Sequence, residues 1–443
     1  HYTTLQLEVI EYRLRIASRF KGIYYGWWVL VGTALLAAFT GGVLIHGSSV
    51  YFIPIRDELA LTTVQTALIF TSSRALAGVG GPFFGWLADR YGGRPLIIVG
   101  SILAGVGFMY LQTVNSYLPF LLVYLLVVSV GTHLGFGQTL LTVTNRWFVR
   151  RKAIALTILL TGFAAGGAIF VYPIGISVEE LGWRQTLLYS GVLIMVAGLA
   201  LSLLVRHSPE RMGLTPENEP ELRPNPVMGN SGDISIKRDF TAYEAMRTKA
   251  FWLILGSSTL RISAETAIMV HIIPIMAWKG MDEQSAAGLV SLFFFLSIPF
   301  RLGSGFAGQK LPFQPMLVGG LLASAVAMSL VIRIDAVWVL YPFVILLAVY
   351  EGTVVLQWLA LGDYFGRKSY GTLTGIMRAS DVVGSIMLPI YAGWIFDNTG
   401  SYTTSLVTLI AMMAAAALLI ALARRPSQPL LPPTSGDAPA TFR

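Results

Sequence analysis

The stretch GWLADRYGGRP, residues 85–95, ends a long apolar run with a cluster of charges and glycines. Asp89 and Arg90 follow the apolar residues directly, and Arg94 comes just before the next apolar run begins. Charged side chains are costly in the hydrocarbon of a bilayer and collect at the ends of membrane helices. The cluster therefore marks a connection between two membrane helices, and the flanking sequence predicts how many more there are.

The composition of the 443-residue chain is typical of a membrane protein. Hydrophobic residues make up 55% of it and charged residues 12%, whereas a soluble domain carries about 25% charged residues. The chain contains no cysteine, which excludes disulfides, iron–sulfur clusters and thiolate zinc sites. The histidines are scattered and no nucleotide-binding loop is present, so we expect no cofactor and no metal.

Twelve apolar segments are long enough to cross a bilayer as helices. Because backbone groups in lipid must be hydrogen-bonded internally, they predict an all-α membrane protein with twelve transmembrane helices. Lys and Arg concentrate on the side that would hold both termini, which predicts cytoplasmic termini in an inner or plasma membrane and no nucleic-acid partner. The predicted helices are 24–52, 63–88, 95–114, 117–142, 153–177, 184–205, 251–276, 284–306, 313–332, 337–361, 372–396 and 402–423.

The chain divides into two similar halves. A polar stretch rich in Pro, Glu, Asn and Gly separates the first six helices from the last six, as a flexible linker does. GFAGQKLPFQP at 305–315 echoes GWLADRYGGRP, and DYFGRKS after helix 10 echoes RWFVRRK after helix 4. We therefore predict two pseudo-symmetric six-helix bundles related by duplication. The predicted parts are an N-terminal segment, a bundle, the linker, a second bundle and a disordered tail: 1–23, 24–206, 207–249, 250–425 and 426–443.

The pattern G-x-L-A-D-R-x-G-x-R between helices 2 and 3 resembles the signature loop of the major facilitator superfamily. The resemblance covers residues 24–425 and implies a transporter rather than an enzyme. YYGWWV, MGLTPE, EAMRTKAFW, YFGRKSYGTLTGI and Arg301 in helix 8 look most like the monocarboxylate and oxalate/formate carriers. Two departures bear on proton coupling. Ser297 stands where the animal-type carriers have an aspartate one turn before the arginine, and His46 stands where they have a lysine.

The signature loop itself predicts a gate. Gly85 leaves room for another helix to come close, and Asp89 can accept hydrogen bonds from the N-terminus of a facing helix. The resemblance implies that this facing helix is helix 11. Arg90 and Arg94 can pair with acids or lipid phosphates. We interpret the loop as a latch that closes the cytoplasmic side, with a simple positive anchor as the alternative.

Seven charged residues lie deep inside predicted helices, where each charge costs at least ~2.5 kcal/mol. With four bases and three acids, the interior carries a small positive excess. An arginine fork matches both oxygens of a carboxylate, so this excess predicts an organic anion as substrate. The bases are Arg74, Arg261, Arg301 and Arg378, and the acids are Glu265, Glu351 and Asp381.

Four residues are candidates for substrate binding. The resemblance implies that Arg301 contacts the substrate carboxylate, and the alternative is a salt bridge between helices. Arg378 and His46 are further candidates. Arg74 has no acid within one turn, so it either contacts the substrate as well or pairs with an acid of another helix.

Four residues are candidates for proton coupling: Asp381, Glu265, Glu351 and Arg261. Asp381 lies three residues after Arg378, on one helix face. It either pairs with that arginine or takes a proton when substrate binds. Arg261 and Glu265 are four residues apart, so they form either a lasting neutral pair or a coupling pair that breaks during transport.

Together these features predict a secondary transporter that moves a small organic anion, most of all a monocarboxylate, with proton symport and alternating access of two halves. One alternative is an exchanger of dicarboxylates or aromatic acids. Another is a membrane receptor that binds its ligand without moving it. The expected partners are the anion, protons and membrane lipid, and we expect the monomer to be the functional unit.

Overall fold

The computed structural model describes residues 24–148, 151–206, 209, 240–308, 311–366 and 370–426. Within them the chain forms twelve long helices and no strand, as predicted. Two short helices, Phe52–Glu58 and Ala242–Met246, lie between long ones. The long helices are α1 Gly26–Ser49, α2 Thr63–Tyr91, α3 Gly93–Leu111, α4 Tyr117–Trp147, α5 152–181, α6 183–202, α7 Lys249–Trp278, α8 Glu283–Ala307, α9 Phe313–Arg333, α10 Leu340–Phe365, α11 Tyr370–Thr399 and α12 Thr403–Leu422.

Length and hydropathy single out ten stretches of the described chain as able to cross a membrane. One of them, Ile154–Ser202, contains both α5 and α6. These two helices are separated at Gly182, whose φ of 80° lies in the left-handed region that favours glycine. The twelfth helix, α2, has 29 residues but is less apolar, because one of its faces lines the interior of the bundle.

Two helices depart from regular α geometry near the centre of the bundle. In α1 a π-helical segment covers Thr40–His46. In α4 two such segments cover Tyr124–Ser129 and His133–Gly137. Wide turns of this kind are rare and are often found at functional sites. Here they bring His46 and His133 to the same interior space.

The first six and last six helices meet along two seams, α2 against α11 and α5 against α8. Small residues make the seams tight. A Cβ on Gly167 of α5 would lie 2.5 Å from the ring of Phe294 on α8. A Cβ on Gly78 of α2 would overlap Val382 of α11. Close packing through glycine is a usual way for membrane helices to associate.

Several sequence predictions fall outside the described residues. These are the structures of the N-terminal segment, of most of the linker and of all but the first residue of the C-terminal tail. Described residues of the linker begin again at Phe240, whose N–H donates to the carbonyl of Phe365 at the end of α10. The domain boundaries drawn from the sequence therefore stay predictions.

Candidate functional site

A cavity of about 800 Å³ lies near the middle of the bundle, between the two halves. Side chains of α1, α2 and α4 from the first half and of α7, α8, α10 and α11 from the second half form its wall. Apolar side chains cover most of that wall. The charged side chains and histidines on it are His46, Arg74, His133, Arg261, Glu265, Arg378 and Asp381.

Arg74 reaches this cavity from α2. Among the described residues its guanidinium has no hydrogen-bond or ion-pair partner. Neither of the acids that can pair with it from another helix, Glu265 and Glu351, forms an ion pair with it, because each pairs with a different arginine. Arg74 therefore brings an unneutralised positive charge into the first half of the cavity.

Arg261 on α7 is neutralised within the second half. Its Nη1 lies 2.9 Å from Oε2 of Glu265 one turn later, and its Nε donates to Oε1 of Gln357 at 2.6 Å. The Tyr350 hydroxyl accepts from Arg261 Nη1 at 3.3 Å and donates to Glu265 Oε2 at 2.9 Å. The predicted pair of Arg261 and Glu265 is thus present, and two α10 side chains support it.

Arg301 on α8 is paired with Glu351 on α10. Nη2 of the arginine lies 2.6 Å from Oε1 of the glutamate, and the side chains are only 14% and 13% exposed. Nη1 of Arg301 also approaches the Leu160 carbonyl of α5, at 3.5 Å. The described cavity wall does not include either member of the pair. The salt bridge between helices that was the alternative for Arg301 is therefore present, and contact of Arg301 with substrate stays a prediction.

Arg378 and Asp381 on α11 both line the cavity, but no ion pair joins their described side chains. The Arg378 guanidinium lies 5.5 Å from the ring centroid of Trp358. The Asp381 carboxylate accepts from the hydroxyls of Ser258, at 3.3 Å, and Thr259, at 3.4 Å. The local pair expected from their spacing is absent because Asp381 turns towards α7.

The two histidines of the cavity make different contacts. The ring of His46 lies against that of Phe294 across the α1–α8 contact, with 3.9 Å between centroids. His133 Nε2 lies 2.9 Å from the Ser73 carbonyl. Because a carbonyl only accepts, Nε2 must carry the proton of a neutral His133.

Most of the predicted gate residues lie at the C-terminal end of α2. A Cβ on Gly85 would meet no described atom within 4 Å, and the same holds for Gly375 on α11. Among the described atoms, the expected close approach of another helix at Gly85 is therefore not made. The reason is that α2 and α11 touch near their middles and at their other ends. Arg90 lies over the rings of Trp86 and Tyr91, with 5.3 and 5.8 Å to the centroids.

The remaining gate residues leave the latch untested. Asp89 lies in the last turn of α2, and its side chain is outside the described part of the chain. Arg94 lies in the first turn of α3. A latch through Asp89 therefore stays a prediction.

Some residues of this site were not identified from the sequence. Gln357, Ser258 and Thr259 hold the charged side chains in place, yet uncharged polar residues in apolar helices are common. Asp397 lies one residue beyond the predicted end of helix 11 at 396, and nothing in the sequence singles it out. Their roles depend on which side chains face them across the bundle, which a single sequence does not show.

Comparison with protein families gives one match over most of the chain. The model described as Major Facilitator Superfamily matches residues 29–361. Human monocarboxylate transporter 2 is 23% identical over 419 residues, which are 89% of this chain and 84% of that protein. Monocarboxylate transporter 12-B of Danio rerio is 23% identical over 422 residues, 90% of this chain and 87% of the relative.

Solved structures with the same fold are also found. A bacterial homologue of the human lysosomal transporter Spinster, inward-facing and occupied, superimposes with a TM-score of 0.70 at 15% identity, over 90% of this chain and 97% of that one. A D-xylose–proton symporter gives a TM-score of 0.67 at 16% identity, over 89% and 97% of the two chains. At these identities the likeness is one of fold.

Proposed function

The chain belongs to the Major Facilitator Superfamily and is a multi-pass membrane transporter rather than an enzyme, and from that premise we propose that it moves a small organic anion, most of all a monocarboxylate, by proton symport. The two halves, residues 24–206 and 250–425, would rock about the central cavity and expose it to one side at a time. Both termini would lie in the cytoplasm, and a single chain would be the transporting unit.

One observation carries the anion proposal: the charge of Arg74 in the cavity has no acid partner among the described residues. The cavity-lining Arg261 and the neighbouring Arg301 are each matched by a glutamate. An unpaired guanidinium in a largely apolar chamber favours an anionic ligand, and its fork suits a carboxylate. The names of the relatives support a monocarboxylate as that ligand.

Asp381 is the proposed proton carrier. It is 5% exposed, lines the cavity and receives hydrogen bonds from two hydroxyls, with no cation in contact among the described residues. A carboxylate in such a place is not committed to an ion pair, so it can take a proton when the anion enters. Glu265 and Glu351, which are held by arginines, would serve this role only if their pairs opened.

Arg301 keeps a second proposed role. When substrate enters, the carboxylate of the substrate can compete with Glu351 for the Arg301 guanidinium. Glu351, once released from the arginine, can then be protonated. The buried Nε of Arg301, which has no partner among the described residues, is a donor available for such a rearrangement.

Exchange of dicarboxylates or aromatic acids is the second candidate function. Arg378 also lines the cavity without an acid partner among the described side chains, and its guanidinium lies on an aromatic ring. Two unneutralised arginines suit a substrate with two acidic groups, and the volume of about 800 Å³ exceeds the need of a two- or three-carbon acid.

The test is ligand-dependent thermal stabilisation of the purified protein with acetate, lactate, succinate and benzoate. A ligand that binds the folded state raises its melting temperature. We expect a monocarboxylate to stabilise the parent protein and Arg74→Gln to lose that shift. Arg333→Gln, at the end of α9 and outside the cavity, is the matched control and should keep it.

Transport is then measured with that carboxylate in proteoliposomes. An inward pH gradient should accelerate uptake if protons are coupled to it. If uptake is independent of the pH gradient but is stimulated by carboxylate trapped inside the proteoliposomes, the exchanger is favoured. No thermal shift with any carboxylate would remove the anion proposal.

A further inference from the structure

Asp397, in the last turn of α11, bridges the two halves of the molecule. Its Oδ1 accepts from the backbone N–H of Thr63 at 2.9 Å, and its Oδ2 accepts from that of Val64 at 3.0 Å. Both donors belong to the first turn of α2, more than 300 residues earlier in the chain. Both carboxylate oxygens are thus used in one contact between the halves.

This contact completes the cap of α2. The Thr62 side chain accepts from the N–H of Gln65 at 3.1 Å, and the Gln65 side chain accepts from the N–H of Thr62 at 2.9 Å. The first-turn donors of a helix have no partner within it. The capping box satisfies two of the four, and Asp397 satisfies the other two while placing its negative charge at the positive end of the α2 dipole.

The backbones of the two helices also touch here. Gly393 lies one turn before Asp397 on the same face of α11. A Cβ on Gly393 would lie 3.1 Å from the carbonyl carbon and oxygen of Thr63 and from the nitrogen of Val64. The carboxylate contact therefore exists only while α11 lies directly against the first turn of α2.

We propose that Asp397 is a latch that holds the two halves together at this end of the bundle, the outer end in the predicted orientation. The proposal rests on the proposed alternating access, because that cycle requires the two helices to separate here. Asp89, in the signature loop at the other end of α2, is predicted to cap the N-terminus of α11. Each of the two helices would thus carry an acid that caps the other one, Asp397 at the outer end and Asp89 at the cytoplasmic end.

The latch lies on the helices that carry the charges of the cavity. Arg74 follows Thr63 by eleven residues on α2, which is about 16 Å of helix. Asp381 precedes Asp397 by sixteen residues on α11, or about 24 Å. A separation of α2 from α11 at the latch therefore moves the two helices on which the proposed anion and proton sites lie.

When the latch opens, the N–H groups of Thr63 and Val64 and the Asp397 carboxylate become exposed to water. Hydrogen bonds to water then partly replace the two that are lost. We therefore expect loss of the carboxylate charge to raise the ratio of outer-open to outer-closed molecules by about tenfold.

The test uses the absence of cysteine from the chain. Ser116→Cys and Val337→Cys place one spin label on each half at the latch end, and pulsed electron paramagnetic resonance measures their distance in lipid nanodiscs without substrate. Asp397→Asn should increase the population at the longer distance. Asp57→Asn, an exposed acid at the same end whose carboxylate pairs with its neighbour Arg56, should not.

A second variant covers the case in which Asp397→Asn fails to fold. Thr63→Pro removes one of the two donors, at the helix position where proline is best tolerated. Thr62 already has the extended backbone that a following proline requires. This variant should increase the longer-distance population in the same direction.

The outcomes separate the latch from the transport cycle. In one outcome, the parent protein shows two label distances whose populations are the same in folded Asp397→Asn and Thr63→Pro. That result would overturn the latch and leave alternating access intact. One distance in the parent and in every variant would remove alternating access, and the latch with it.

Discussion

Arg301 on α8 and Glu351 on α10 form a buried ion pair, with 2.6 Å between Nη2 and Oε1. The arginine most directly implied by resemblance to contact substrate is therefore occupied by a protein carboxylate, whereas Arg74 on the opposite half has no acid partner among the described residues. In this state of the molecule, Arg74 of the first half and Arg378 of the second half line the cavity without an acid partner among the described residues, whereas Arg301 is held by Glu351.

We expect Arg301→Ala to destabilise the protein by about 3–5 kcal/mol, because it leaves the Glu351 carboxylate buried and unpaired. The double variant Arg301→Ala, Glu351→Gln should recover a large part of that loss. Chemical denaturation in detergent micelles measures both. If the double variant is no more stable than Arg301→Ala, the ion pair does not hold α8 against α10 as inferred.

Substitution of Arg74 is expected to change stability in the opposite direction. Its charge is not matched in the empty cavity, so Arg74→Gln should raise the melting temperature of the ligand-free protein, by the equivalent of about 1 kcal/mol. Arg261→Gln is the matched control, and it should lower the melting temperature because Glu265 and Gln357 lose their partner. A drop for Arg74→Gln like that of the control would mean that Arg74 is already neutralised.

Asp381→Asn should uncouple transport from the pH gradient. The amide keeps the size of the side chain and its contacts with α7 but cannot take up a proton. Uptake driven by an inward pH gradient should fall to the level seen without one, while exchange of labelled for unlabelled substrate continues. Full gradient-driven uptake by Asp381→Asn would assign proton coupling to another acid, Glu351 first.

Gly166→Ala tests the close packing of α5 against α1. A Cβ at Gly166 would overlap the Ala38 carbonyl, and overpacking of this kind costs about 1–3 kcal/mol. Gly319→Ala on α9 is the matched control, since a Cβ there meets no described atom within 4 Å. The control should be neutral or slightly stabilising, as alanine is the better helix former. Equal melting temperatures for the two variants would contradict the packing.

Glu58 predicts a pH dependence of stability outside the membrane spans. The hydrogen bond from Arg184, at 2.7 Å, holds the pKa of Glu58 below its ordinary value of 4.5, and Trp183 also donates to it. A lowered folded-state pKa adds stability above the unfolded-state pKa and loses it as the pH falls through the folded-state value.

The melting temperature of the parent protein should thus exceed that of Glu58→Gln at pH 7, and the difference should shrink as the pH falls below about 4.5. The side chain of Glu58 is 49% exposed, so solvent screens the pair and the effect is small. A difference that stays constant from pH 7 to pH 4 would show that ionisation of Glu58 is not its source.

Much of the fold was predictable because the membrane imposes a strong rule on sequence. The end of α2 at Tyr91 and the start of α3 at Gly93 fall within the quoted loop. The break between α5 and α6 falls at Gly182, inside the predicted gap. The π-helical segment at Thr40–His46 was not predicted, because its composition does not differ from that of a regular membrane helix.

The candidate site was predictable as a set of residues but not as a set of partners. Arg261 and Glu265 share one helix face, and the spacing of four residues suffices to pair them. Arg378 and Asp381 also share a face, yet Asp381 bonds to α7 instead. Spacing along one helix says nothing about the neighbouring helix that competes for the same side chain.

The sequence by itself determined that the chain forms twelve long apolar helices and which charges lie within them, because lipid tolerates only long apolar helices and each charge stands out against them. Only the tertiary structure decided which charges cancel. Glu351 neutralises Arg301, no described acid neutralises Arg74, and Asp397 caps α2 rather than lying free in a loop. The physical reason is that electrostatic and hydrogen-bonding energies depend on distances of a few ångströms between different helices, and these are set by how each helix is rotated and packed.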